Sequence, residues 1–357
     1  MASGPPEPVL VVGAGLIGTS IGLALRARDV HVAITDTNPE HARTASALGA
    51  ADLAEVTDPA LVVVAVPPDH VATEIAAALR STDACVTDVG SVKAVPLAAA
   101  RRLVADKNVL SRYAGGHPMA GSERSGPLAA SATLFDGRPW AVTPHPASSA
   151  EAVDVVHLLA RSCGATPVRF TPEEHDLAVA RTSHLPHLVA ALVAGVLARA
   201  PGEHLALSGQ GVRDVTRVAA GDPGLWQQIL LGNGGALTDL LDEVRAGLDA
   251  VRDALATGDR ATLAGVLDRG VAGTAAIPGK HGHPLPAQAV IVVAVPDRPG
   301  ELARLFADVG DIGVNVEDMR IDHDPLREVG LAELSVVEKS ADRLRTELEQ
   351  RGWTVHR

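Results

Sequence analysis

Pro8-Val9-Leu10-Val11-Val12-Gly13-Ala14-Gly15-Leu16-Ile17-Gly18 is the stretch on which the fold turns. A short β-branched run stops at three glycines spaced Gly-x-Gly-x-x-Gly, and a helix-like segment, Ile17 to Ala27, follows at once. Val30 to Asp36 then alternates as a second strand and ends on an acid. The unit is a βαβ opening with a mechanical reason for each residue. Gly13 permits the tight turn, Gly15 lets a pyrophosphate approach the backbone, and Gly18 lets the helix pack close. The helix N-terminus at Leu16 and Ile17 favours the anionic phosphates, and Asp36 can accept from a ribose 2′-hydroxyl while repelling a 2′-phosphate. An ordinary glycine turn would carry the triad alone; strand, helix and acid together point to NAD, with Arg43 the nearby base that would soften a preference over NADP.

Working outward, strand-like runs at Leu61 to Val66, Ala84 to Asp88 and Pro139 to Thr143 alternate with Ala-rich helical segments. That rhythm predicts an α/β Rossmann-like doubly wound parallel sheet over residues 8–170. Val66-Pro67-Pro68-Asp69 and Asp88-Val89-Gly90-Ser91-Val92-Lys93 follow two of these strands, at the carboxyl ends where such sheets bind ligands. Val66 and Pro67 join the cofactor contacts; Ser91 and Lys93 either bond a substrate or, for Ser91, cap the next helix.

Thr171-Pro172-Glu173-Glu174 offers an N-cap, a proline at the first helical position and a glutamate at the third, so a long helix starts there. Residues 171–280 contain no convincing strand, and Leu237, Leu240, Leu241, Val244, Leu248, Val251 and Leu255 recur at three-and-four spacing. This second part reads as all-helical, with a seam suited to pairing between subunits. After a Gly/His/Pro linker, residues 287–357 give the order βαββαβ of a small ferredoxin-like α+β domain.

The chain has 357 residues, enough for two or three domains, and 43 acidic against 31 basic side chains, a formal charge of −12. With no basic block, nucleic acid and anionic membrane are poor partners. Cys85 and Cys163 lie at no metal or redox spacing, which fits a reducing cytoplasm. The first eight residues lack a basic export region, and the longest apolar stretch, Leu188 to Ala198, is too short to span a bilayer.

Candidate chemistry sits in three places. Gly115-Gly116-His117-Pro118-Met119-Ala120-Gly121-Ser122-Glu123 puts an imidazole and a carboxylate in a run that reads as a glycine-rich ligand loop. Ser183-His184-Leu185-Pro186-His187 sets two imidazoles three apart on one helix face, with Pro186 expected to kink the helix between them. A metal there lacks both a zincin-type glutamate and a third ligand, so none is expected and substrate contact is preferred. Arg213, Asp214 and Arg217 share a helix face, an arrangement in which a carboxylate holds a guanidinium ready for an anion.

Taken in order, these motifs, with Asp222-Pro223-x-x-Trp226, resemble the prephenate dehydrogenase family over roughly residues 8 to 280. Val215 stands where the family commonly has an aromatic, and Thr19 replaces a frequent glycine. The last seventy residues, with Asp297-Arg298-Pro299-Gly300-Glu301-Leu302 and Gly313-Val314-Asn315-Val316-Glu317-Asp318, resemble an ACT domain, a small amino-acid-sensing module. The resemblance implies an NAD-dependent enzyme of tyrosine biosynthesis that removes hydride from the ring carbon bearing the 4-hydroxyl of prephenate, with loss of CO2. It implies that His117 accepts the hydroxyl proton while Ser91 shares that hydroxyl. Arg217 would pair with a substrate carboxylate, oriented by Asp214, and His187 would contact the side-chain end. Ser122 and Glu123 would line or gate the entrance, and Trp226 would form an aromatic wall, reaching into the neighbouring subunit of a homodimer. An aromatic amino acid would bind the tail near Gly300 and Asn315.

Three other readings stand beside this one. The same motifs serve arogenate dehydrogenase. A β-hydroxyacid dehydrogenase would need a catalytic lysine in the helix after Thr171, which has none. A catalytically silent ACT sensor would have no use for His117, Ser91 and Arg217.

Overall fold

The computed structural model describes residues 4–53, 56–121, 124–277, 287–323 and 329–356. They form two compact units, Met1–Asp253 and Ala254–Arg357. The division between them falls within a helix, Gly234–Thr257.

In the first unit, strands β1 (Val9–Val12), β2 (Val32–Thr35), β3 (Leu61–Val64) and β4 (Cys85–Asp88) make a parallel sheet in the order β2-β1-β3-β4. Alternate residues of these β-branched strands face opposite sides. Val9, Val11, Leu61 and Val63 pack with helices Leu16–Arg26 and Ala150–Ser162, whereas Val62, Val64 and Val86 pack with Pro68–Ser81 and Ala94–Val104. Helices thus cover both faces, as a near-continuous apolar strand requires.

The glycine triad sits at the carboxyl end of β1. Gly13 has φ 110°, and a Cβ there would lie 2.3 Å from the Ala65 carbonyl oxygen. A Cβ on Gly18 would fall 2.0 Å from the Gly13 carbonyl oxygen, while Gly15 faces open space. Gly18→Ala is therefore expected to push the first helix off the sheet, costing about 1–3 kcal/mol or more and weakening dinucleotide binding. Thermal melting and an NADH fluorescence titration both matching the parent would refute this.

Two expectations about this unit are corrected. The run around His117 is not a loop: Gly115–Pro118 is a fully buried strand, β5, paired antiparallel with β6 (Pro139–Thr143). Its glycines answer to crowding rather than to turning. A Cβ on Gly115 would lie 2.5 Å from Thr143 Oγ1, and one on Gly116 would lie 2.9 Å from Trp140 Nε1 and 3.0 Å from the Asp88 carbonyl oxygen. Nor is there one doubly wound parallel sheet: β5, β6 and β7 (Thr166–Arg169) form a separate three-stranded sheet, in which β5 runs antiparallel to β6 and β6 parallel to β7. A single bridge, Val86 to Tyr113, leads from β4 toward β5.

Thr171 caps the next helix as expected: its hydroxyl accepts from the Glu174 backbone N–H at 3.2 Å, and the Glu174 carboxylate accepts from the Thr171 N–H at 3.0 Å. Helix Pro172–Val179 continues through a π-helical turn, Ala180–His184, into helix Leu185–Leu197. The irregularity expected at Pro186 thus falls just before it; Pro186 sits in the first turn of the following helix, where a missing N–H is tolerated. The joined run, Pro172–Leu197, is 26 residues and by length and composition alone could cross a bilayer, which the apolar stretch Leu188 to Ala198 could not. Among the described residues, 171–277 contain no strand. Along helix Gly234–Thr257 the seam is buried at Leu237 and Leu240 but 66% and 67% exposed at Leu248 and Leu255.

In the second unit, helix Arg260–Ala275 precedes β8 (Gln288–Pro296), helix Glu301–Ile312, β9 (Val316–His323), β10 (Val329–Val337), helix Glu338–Gln350 and β11 (Thr354–His356). The strands form an antiparallel sheet in the order β11-β8-β10-β9 over a core of Ile291, Val293, Leu305, Leu334, Leu344 and Trp353. Gly300 has φ 93° and opens helix Glu301–Ile312, and Asn315 donates to Glu317 at 2.7 Å.

Candidate active site

The carboxyl ends of β1, β2 and β3 form the first half of the site. Asp36 leaves the end of β2 and accepts from the Ala14 N–H and the Asn38 N–H, each at 2.7 Å, so its carboxylate is locked against the glycine turn. No side chain caps helix Leu16–Arg26, whose N-cap is Gly15, so the first-turn N–H groups beside Leu16 and Ile17 remain available to an anion. Val66 and Pro67 follow β3 on the same edge. Arg43 is exposed and ion-paired with Glu40. An open glycine, an uncapped helix start and a fixed carboxylate fit a dinucleotide.

The second half is a buried chain of polar groups that starts in the helix after Thr171. Asp176 sends one carboxylate oxygen to the Lys93 N–H and the other to the Ala94 N–H, each at 2.8 Å, capping helix Ala94–Val104 from another element. The oxygen facing Lys93 also meets His175 Nδ1 at 2.8 Å, and His175 Nε2 meets His117 Nδ1 at 2.9 Å. This order sets the tautomers. A carboxylate only accepts, so His175 donates from Nδ1 and accepts at Nε2; His117 must then donate from Nδ1, which leaves its Nε2 lone pair as the free end.

Behind His117, Asp88 accepts from Tyr113 Oη at 2.7 Å, the Gly90 N–H at 2.8 Å and Lys93 Nζ, which also donates to the Gly116 carbonyl oxygen at 2.7 Å. Burial, followed by the charges of His175, Lys93 and His184, holds His117 well below the ordinary imidazole value of 6.5. Burial likewise lowers His175, and pushes His184 and His145 down to about 4. His117 is consequently a neutral acceptor at neutral pH. The same shifts bear on stability. An unfolded chain takes up protons on these rings near pH 6.5 while the folded chain refuses them, so stability is complete above 6.5 and is lost as pH falls toward about 4. The thermal midpoint should drop across that window; a midpoint flat from pH 7 to 4 would contradict it.

Of the remaining expected residues, His187 and Trp226 come together. Their rings stack 3.5 Å apart at 10°, with His184 edge-on to Trp226 at 6.2 Å, and His187 Nδ1 is buried without a partner among the described residues. Trp226 lies in helix Pro223–Gly232, whose N-cap Asp222 accepts from the Leu225 N–H at 2.7 Å. Ser91 lies half-buried in the bend after β4 and caps nothing, since Asp176 takes that task. Arg217 is exposed at the start of a 3-10 turn, Arg217–Ala220, and Asp214 accepts from Gln210 at 2.9 Å. Ser122 and Glu123 lie outside the described residues. His175, Asp176 and Asn233, which donates to the Asp176 carbonyl at 2.7 Å and meets His184 Nδ1 at 3.1 Å, are additions that sequence reasoning missed. The only signal was a His-Asp pair one turn into a capped helix, a common surface pattern. Among the described residues no cluster suits a metal ion.

The family model "Prephenate dehydrogenase, nucleotide-binding domain" matches residues 21–169, and "Prephenate dehydrogenase, dimerization domain" matches 171–269. A probable prephenate dehydrogenase, NovF, of Streptomyces niveus is 37% identical over 97% of this chain and 99% of its own length. The prephenate dehydrogenase of Bacillus subtilis is 31% identical over 88% of each. The crystal structure of prephenate dehydrogenase from Aquifex aeolicus, in complex with hydroxyphenyl propionate and NAD+, superposes with a TM-score of 0.67 at 26% identity, covering 75% of this chain and 97% of that one.

Proposed function

The chain belongs to the prephenate dehydrogenase family and is an NAD-dependent oxidoreductase of that activity, and we propose how its residues divide the work. NAD supplies the hydride acceptor, and the residues to hold it are Gly13, Gly15, Leu16, Ile17, Gly18, Asp36, Val66 and Pro67. The observation that carries the rest is the Asp176–His175–His117 chain, because it ends in a free, uncharged Nε2. That atom takes the proton of the ring hydroxyl as hydride leaves the carbon beneath it. Loss of the ring carboxylate as CO2 then leaves the C–C electron pair in the aromatic ring, and the phenolate oxygen takes the proton back from Nε2 to give 4-hydroxyphenylpyruvate. Ser91, with a hydroxyl that caps nothing, shares the substrate hydroxyl with His117. Arg217, oriented by Asp214, anchors a substrate carboxylate, and the unpartnered Nδ1 of His187 meets the side-chain end against Trp226.

Arg217→Ala is expected to raise the prephenate KM by roughly 10- to 100-fold, as loss of a charge-assisted pair implies, with little change in the NAD KM. Equal rises in both constants would remove Arg217 from substrate binding.

The domain limits we propose are 8–170 for NAD binding, 171–280 for substrate and dimerisation, and 287–357 for a ferredoxin-like ACT module. The order β11-β8-β10-β9 with two crossover helices supports the last, and the positive-φ turn at Gly300 beside open space supports a ligand near Gly300 and Asn315. We assign an aromatic amino acid as the effector. The exposed ends of the seam, Leu248 and Leu255, support a homodimer, and two unpaired cysteines suit the cytoplasm. Steady-state kinetics with prephenate and arogenate, each with NAD and NADP and with or without tyrosine, test the whole reading. Turnover of prephenate with NAD, lowered by tyrosine, is the expected result; activity with arogenate alone would reassign the substrate.

A further inference from the structure

Lys93 is 2% exposed and Asp88 fully buried, an ion pair for which the reaction as described has no use. Burying two charges is costly unless every lone pair and proton is satisfied, and here the Asp88 carboxylate has three donors while the ammonium reaches a second acceptor, the Gly116 carbonyl oxygen. That acceptor belongs to the residue bonded to His117. The backbone N–H of Lys93 meanwhile donates to the same Asp176 oxygen that holds His175. The contacts close into a ring: Lys93 N–H to Asp176, Asp176 to His175, His175 to His117, and the Gly116 carbonyl back to Lys93 Nζ.

We propose that Lys93 is the positioning residue of the proton acceptor, fixing the imidazole of His117 through its backbone N–H and the backbone of His117 through its ammonium. This rests on His117 being the acceptor. β5 needs such a device because one bridge, Val86 to Tyr113, leads to it from the parallel sheet, and its two glycines bring no side chains to anchor it. The ammonium has an electrostatic consequence as well. The groups facing His117 are His175, Asp176 and His184 from the helix after Thr171, and Lys93, Asp88 and Tyr113 from the sheet side; of these, the Lys93 cation helps hold His117 uncharged, alongside burial and the two histidines.

Lys93→Met alone strands a buried carboxylate, so the test uses Asp88→Asn/Lys93→Met in the full chain, which keeps shape and removes both charges. Asp88→Asn alone, which leaves the ammonium on Gly116, is the control. Four readouts are taken: circular dichroism, NAD affinity, kcat and KM for prephenate, and the His117 imidazole titration by NMR. The double variant should bind NAD like the parent, lose roughly 10- to 100-fold in kcat with KM within about threefold, and titrate His117 at higher pH. Asp88→Asn should lose only a few-fold in kcat, with no upward movement of His117. A double variant with parental kcat and an unmoved His117 overturns the proposal. So does a double variant whose NAD affinity falls as far as its kcat, or equal losses in the two variants, a failure of both to fold included, since each marks the pair as scaffold. His117→Asn separates the layers: if that variant keeps its turnover, the assignment of the acceptor itself is wrong, whereas an inactive His117→Asn beside an unaffected double variant sinks only the role of Lys93.

Discussion

His117→Asn is expected to lower kcat by roughly 10²- to 10⁴-fold while leaving NAD affinity unchanged. Asparagine is the informative replacement, because its amide N–H can stand in for Nδ1–H toward His175, but nothing basic then remains where Nε2 was. The loss therefore isolates the proton acceptor from the hydrogen bond that aims it. In the parent, the acid limb of kcat/KM should lie below the ordinary imidazole range, because the ring is held well below 6.5 by burial first and by neighbouring positive charge second. In the variant that limb should vanish. Near-normal turnover would remove His117 from the chemistry.

Asp176→Asn should damage both turnover and stability, for one geometric reason. The carboxylate serves three donors: the Lys93 N–H, the Ala94 N–H and His175 Nδ1. An amide offers one oxygen and one NH2, so at least one donor faces another donor. With the oxygen toward Ala94, the NH2 forces His175 to accept at Nδ1 and donate from Nε2. His117 must then accept at Nδ1 and carry its proton on Nε2, where a lone pair is needed; a wrong-tautomer effect of this kind is worth up to about 10⁴ in kcat. With the oxygen toward Lys93 and His175, the Ala94 N–H is orphaned and helix Ala94–Val104 loses half of its cap, costing about 1 kcal/mol. The expected outcome is a kcat loss of roughly 10²- to 10⁴-fold together with a lower melting midpoint. A variant that melts early but turns over normally would show that Asp176 serves the helix and not the imidazoles.

The βαβ opening was legible because its residues are constrained locally. Gly13 needs a positive φ, Gly18 touches the carbonyl of Gly13, and Thr171 bonds to Glu174 within its own turn. Local geometry of that kind is written in spacing. The strand at Gly115–Pro118 was not legible, since glycine marks a turn and a tight packing position alike, and only Thr143 and Trp140 of β6 and Asp88 of β4 decide between them. The π-helical turn likewise precedes the proline that drew attention to it.

By itself the sequence determined the dinucleotide turn, the capped helix, the order βαββαβ near the end, and His117, Ser91, His187 and Arg217 as the residues of interest. Each follows from short-range stereochemistry or from ordered motifs. Tertiary structure alone decided which atom of His117 is free. That choice depends on His175 and Asp176, 58 and 59 residues further along the chain, and on a lysine whose charge is satisfied by Asp88 and by the backbone of β5. A tautomer is set by whatever sits about 3 Å away in space. Spacing along the chain carries no record of it.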